Sequence, residues 1–114
     1  MIEKYFTITC NEQIIATHIL IPENGNEKAQ GMRHRYIDKN TTMLFIFPST
    51  QFLTFNMYDV TYPLGIIVLN DEKEIVYVGI MPPWTGGYSG LGKYVLEVHP
   101  DNIQNLKNGD KVEL

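Results

Sequence analysis

The sequence is poor in several residues that usually announce a function. It holds one cysteine, Cys10, one tryptophan, Trp84, and two arginines, Arg33 and Arg35. A lone thiol excludes an internal disulfide framework and fits a reducing compartment. No apolar run approaches the roughly 20 residues of a membrane-spanning helix, which excludes such a span. The net charge is −4, so the chain lacks the basic face that a generic nucleic-acid binder needs. No phosphate loop, dinucleotide fingerprint or Gly-x-Ser-x-Gly elbow is present, and no cofactor is expected. The three histidines, His18, His34 and His99, show no metal-ligand spacing, so no metal site is expected either. Met1-Ile2-Glu3-Lys4 passes straight into a strand-like alternation, and no signal peptide is visible. The expected location is the cytoplasm, or a larger assembly or particle.

What is present is enough for one folded domain. The 114 residues are 44% apolar, an ordinary share for a chain that buries a core. No linker divides them, so residues 1–114 are read as a single unit. Lys4 to Cys10 alternates, with Phe6, Ile8 and Cys10 on one side. With Asn11-Glu12 as a turn and Gln13 to Ile21 as the returning strand, this predicts a hairpin. Glu27 to His34 suits a short helix, weakened at Gly31 by roughly 1 kcal/mol relative to alanine. Met43 to Phe47 and Leu64 to Leu69 are continuous apolar runs and predict strands buried on both faces; for Met43 to Phe47 length and β-formers favour this, since periodicity alone does not separate it from a buried helix turn. Pro48-Ser49-Thr50 breaks the pattern before a further strand from Phe52 to Met57. Ile75 to Met81 returns from Leu64–Leu69 as a hairpin, stopped by Pro82-Pro83. Trp84 to Gly92 holds four of the nine glycines and predicts a loop. Lys93 to His99 is read as a strand, Pro100 to Lys107 as a short helix, and Asp110 to Leu114 as a last strand. The expected fold is mainly β, a small closed or partly closed barrel. It has about seven or eight short strands and one or two short helices.

Chemistry-bearing residues are few. Cys10 has no base or cation near it in sequence and reads as a buried structural thiol. Trp84 and Tyr88 lie on the glycine-rich segment, where large aromatics serve as contact residues at low entropy cost. The plainer reading is that Trp84 plugs one end of the barrel. Arg33-His34-Arg35 is the one basic cluster, and two arginines can grip a carboxylate or phosphate. For Arg33 the plainer reading, positive charge near a helix C-terminus, is the better one.

Several short motifs occur in a telling order. They are Gly31-Met32-Arg33-His34-Arg35, Met43-Leu44-Phe45-Ile46-Phe47, Phe55-Asn56-Met57 and Pro63-Leu64. Pro82, Tyr94-Val95-Leu96-Glu97 and Gly109-Asp110-Lys111-Val112 follow. Together they resemble the family called domain of unknown function 192, from about Ile14 to Val112. That family reads G-L-M-x-R, G-M-L-F-x-F, F-W-M-K-N-T, P-L-D, a later proline, Y-V-L-E and G-D-x-V. The resemblance implies a small β-rich, barrel-like domain and carries no established activity. It places Arg35, Met57 and Glu97 on the family's motif positions. Asn56 stands where the family has Trp, Tyr58, Asp59 and Val60 replace K-N-T, and Gly65 replaces the Asp after P-L. The apolar framework is kept while distinctive polar residues are exchanged.

Two functional expectations follow. The favoured one is a non-catalytic binding or assembly module, more a binder than an enzyme. It would have a protein partner or self-association, and would suit a phage or virion-associated accessory protein. The other is a small-anion-binding or enzymatic site at a barrel mouth. There Arg35 would hold the anion, with Glu97 and Tyr58 or Asp59 nearby. The plainer reading of Glu97 is an outward residue on an alternating strand.

Overall fold

The computed structural model describes residues 1–114 and contains nine strands, one α-helix and one 3-10 turn. The strands are β1 (Ile2–Lys4), β2 (Ile8–Cys10), β3 (Gln13–Ala16), β4 (His18–Ile21) and β5 (Thr41–Asn56). They continue with β6 (Leu64–Leu69), β7 (Ile75–Met81), β8 (Gly87–Val98) and β9 (Val112–Glu113). Helix α1 spans Gly25–Gln30 and the 3-10 turn Pro100–Ile103. A six-stranded sheet runs β1-β4-β5-β8-β6-β7, and a three-stranded sheet runs β3-β2-β9. All pairings are antiparallel except β4 with β5. The larger sheet ends at β1 and β7, so the barrel is only partly closed.

The predicted first hairpin forms between β2 and β3 across Asn11-Glu12. The two predicted strands nonetheless split into four. Thr17 and His18 both donate their backbone N–H to the Asn40 carbonyl, and there the chain leaves the small sheet for the large one. Helix α1 is shorter than predicted. Asn24 caps it by accepting from the Glu27 N–H, and Gly31 ends it at φ 49°, a left-handed conformation that costs glycine little.

The largest departure from expectation is the glycine-rich segment, which is strand rather than loop from Gly87 onward. Gly87, Gly90 and Gly92 pair with Asn56, Leu53 and Gln51 of β5. A side chain would not fit at two of them. A Cβ on Gly87 would lie 2.6 Å from the Phe55 carbonyl oxygen, and one on Gly92 would lie 2.5 Å from Val68 Cγ1. Glycine here serves close approach, not freedom. Strand β5 also runs on through Pro48, and only its ladder to β8 is interrupted, between Ile46 and Gln51. Beyond this interruption the arms of β5 and β8 carry Leu53, Phe55 and Tyr88 onto the core. The expected helix after Pro100 is a single turn.

Two apolar layers flank the large sheet. Period-two alternation sends Leu44, Ile67, Leu69, Leu96 and Val98 to one face, against Ile8, Cys10 and Ile15 of the small sheet. Met43, Phe45, Ile66, Val68 and Val95 face the other way, against Met32, Met57 and Val60. Strand β6 is buried throughout, as its unbroken apolar run predicts. In the other run, Met43 to Phe45 are buried, but Ile46 is exposed and Phe47 half-buried where β5 reaches the interruption.

Candidate functional site

Residues 95 and 97 of β8 share a face, so Glu97 points into the second apolar layer. Its cross-strand neighbours are Met43 on β5 and Ile66 on β6. It is 4% exposed, and its Oε1 has no hydrogen-bond partner. Burial pushes its carboxyl up to about 8, because an apolar surrounding penalises the charged form. The expectation of an outward Glu97 is therefore corrected. The alternation holds, but both faces of this strand are covered. An unpartnered buried polar atom costs about 1–3 kcal/mol, so this acid is a liability unless something uses it.

Glu97 lines a hollow of about 430 Å³. Phe45, Phe47 and Phe55 form apolar walls, with Phe55 edge-on to both of the others. Gly31 stands over the acid, and a Cβ there would lie 3.6 Å from Glu97 Oε1. Lys28 and Arg33 bring positive charge to the lining. The Lys28 ammonium donates to the Ile46 carbonyl at 3.1 Å and lies 4.7 Å from the Phe47 ring centre. Arg33 Nε donates to the Tyr58 carbonyl at 3.1 Å, and its guanidinium covers the Tyr58 ring at 5.5 Å. So Arg33 ties the segment after β5 to the segment after α1, a more specific task than dipole compensation.

Arg35 lies beside this hollow and not in it. It lines a second one of about 360 Å³ with His34, Tyr36, Asp59, Thr61 and Tyr62, and Met32 borders both. The Tyr62 hydroxyl donates to the Arg35 carbonyl. Burial and the proximity of Glu97 raise that phenol to about 12, so it stays a donor. His34 Nε2 meets Asp59 Oδ2 at 2.8 Å. Both residues are left-handed, at φ 59° and 62°.

The other candidates separate. Met57 is fully buried in the second layer and is a core residue. Tyr88 is half-buried, meets the Tyr77 ring at a tilt of 37° and donates to the Leu91 carbonyl. Trp84 is 51% exposed and meets Tyr58 edge-on at 5.8 Å, so it plugs nothing. Tyr58 itself is 63% exposed. Cys10 is buried in the first layer, and burial raises its thiol. Sequence reading passed over Gly31, Lys28, the phenylalanine walls and Tyr62. The available signal was a glutamate sharing a strand face with Val95 in a sheet covered on both sides.

The family model for domain of unknown function 192, described as "Uncharacterized ACR", matches residues 6–114. The chain belongs to the DUF192 family. Two solved structures share the fold of this DUF192 chain. One is a protein from Sinorhizobium meliloti 1021 named a "putative transcription regulator". It is 19% identical with a TM-score of 0.75, over 84% of this chain and 80% of that one. The other is a protein of unknown function from Novosphingobium aromaticivorans DSM 12444. It is also 19% identical with a TM-score of 0.78, over 100% of this chain and 94% of that one. No curated protein matches the sequence. At this identity the likeness concerns the fold of the DUF192 domain alone. No helix of the chain is long and apolar enough to cross a membrane.

Proposed function

We propose that this domain is a non-catalytic binding module that takes a small molecule into the hollow over Glu97. The observation that carries the reading is the orphaned Glu97 Oε1, buried at the border of a 430 Å³ space with aromatic walls. Such a space has the size and mixed lining of small-ligand sites. The ligand that fits is a compact, mainly apolar molecule bearing a carbonyl-type oxygen, since a protonated Glu97 donates. Among the lining residues, Glu97 is the one whose carboxyl is pushed up to about 8. A single such group supports binding rather than acid–base turnover, which needs a positioned reacting partner.

Thermal unfolding against a panel of small aromatic ketones and amides, acetophenone and benzamide among them, tests this. A ligand at a hundred times its Kd adds about 2.7 kcal/mol. Stabilisation by a panel member that is lost in Glu97→Leu supports the reading. A panel that leaves the wild type unmoved, or stabilises both forms equally, overturns it.

A protein partner or a second copy is the other reading, favoured by β7. This strand is an open edge of the larger sheet and exposes Val76, Tyr77 and Ile80. Light scattering, pull-down from the native host and copurification with a particle address it. A strict monomer with no retained partner counts against it.

A further inference from the structure

Arg33 and Arg35 are treated differently by the fold. Arg33 spends its guanidinium on the Tyr58 carbonyl and the Tyr58 ring. Arg35 has its backbone held on both sides, its N–H donating to the Met32 carbonyl at 3.2 Å and its carbonyl accepting from Tyr62. Its side chain, by contrast, has nothing to bond. Nε is buried without an acceptor, and none of the chain's ion pairs includes the guanidinium. Asp59, the acid that shares the hollow, is taken by His34 at 2.8 Å. That leaves a guanidinium with no paired carboxylate, and with a buried N–H, lining a space of about 360 Å³. Thr61 and Tyr36, both hydroxyl-bearing, line the same space.

A buried charged donor without an acceptor is costly, and a planar guanidinium fork is best satisfied by two oxygens of one anion. We infer that the Arg35 hollow is a binding site for a small oxyanion, a carboxylate or a phosphate, held by the Arg35 fork with Thr61 and Tyr36 beside it. The site is separate from the Glu97 hollow and does not rest on the reading given for it.

The chain's two arginines make a direct test simple. A 15N-labelled protein shows two arginine Nε–Hε signals, and Arg35→Lys identifies one by its loss. Sodium phosphate and sodium acetate are titrated separately against sodium chloride at equal ionic strength. The expected result is a saturable shift of the Arg35 signal with phosphate, acetate or both, none with chloride, and a still Arg33 signal. The tighter of the two anions tells which oxyanion the site favours. Backbone signals of Tyr36 and Thr61 report the same binding in variants. Arg35→Lys keeps the charge but loses the fork, and is expected to bind about tenfold more weakly. Arg35→Gln is expected not to bind, and Glu97→Gln to bind as wild type does. The absence of a saturable shift, equal movement of Arg33, undiminished binding by Arg35→Lys, or loss of the anion in Glu97→Gln each overturns the inference.

Discussion

At Glu97 an acidic side chain faces Met43 and Ile66, and its carboxyl is held at about 8 against an ordinary value of 4.5. The folded state therefore keeps a proton that the unfolded chain gives up above about 4.5. The resulting stabilisation is complete below that pH and is lost as pH rises toward 8. On the acid side, hydrogen bonds hold the carboxyls of Glu27, Asp38 and Asp101 below their ordinary values. Their contribution is lost as pH falls through the carboxylate range. Stability should thus peak in mildly acidic solution and decline toward pH 8. Denaturant melts from pH 3 to 9 check this, and Glu97→Gln is expected to flatten the decline between 4.5 and 8. At Trp84 the backbone is left-handed, φ 65°, and the ring is half exposed. Trp84→Asn trades the Tyr58 contact for a residue that tolerates that conformation. It is expected to change stability by less than about 1 kcal/mol, against the 3–5 kcal/mol lost when a core tryptophan is truncated. Chemical denaturation of the two forms separates these values.

At the scale of the element, β8 shows how composition misleads. Its first half, Gly87-Tyr88-Ser89-Gly90-Leu91-Gly92, has the glycines of a loop, yet it is paired residue by residue with β5. Close packing against Phe55 and Val68 is what requires them. Gly87→Ala sets a methyl against the Phe55 carbonyl and is expected to cost about 1–3 kcal/mol. Gly25→Ala on α1, where a Cβ meets nothing within 4 Å, is expected to be neutral or slightly stabilising. Paired urea melts give both values. Strand β6 is the opposite case, since its unbroken apolar run predicts a strand covered on both faces and that is what forms. The hairpin of β6 and β7 was legible for the same reason, with the polar cluster Asn70–Glu74 marking its turn.

For the whole molecule, the centre of the large sheet is built from β5, β8 and β6, whose pairings join residues far apart in sequence, such as Thr42 with Val98. Such non-local pairing slows folding into the range of milliseconds to seconds. Amide exchange is expected to be slowest for Leu44, Ile67 and Leu96, and fastest in β1 and α1, which bury no residue. Protection that is uniform across all strands would show that the sheet opens as one unit.

The β class, the apolar runs, the buried thiol and the family motifs could be read from the chain itself, because period-two alternation and turn chemistry are local properties. Tertiary structure decided the rest. Whether Glu97 faces water depends on what covers the second face of its strand, and Met32, Met57 and Val60 come to that face from other parts of the chain. Arg33 and Arg35 stand two residues apart, and only the placement of Tyr58, Asp59 and Tyr62 engages one and leaves the other free. A side chain's neighbours through space set its charge state and its vacancies, and those neighbours are not its neighbours in sequence.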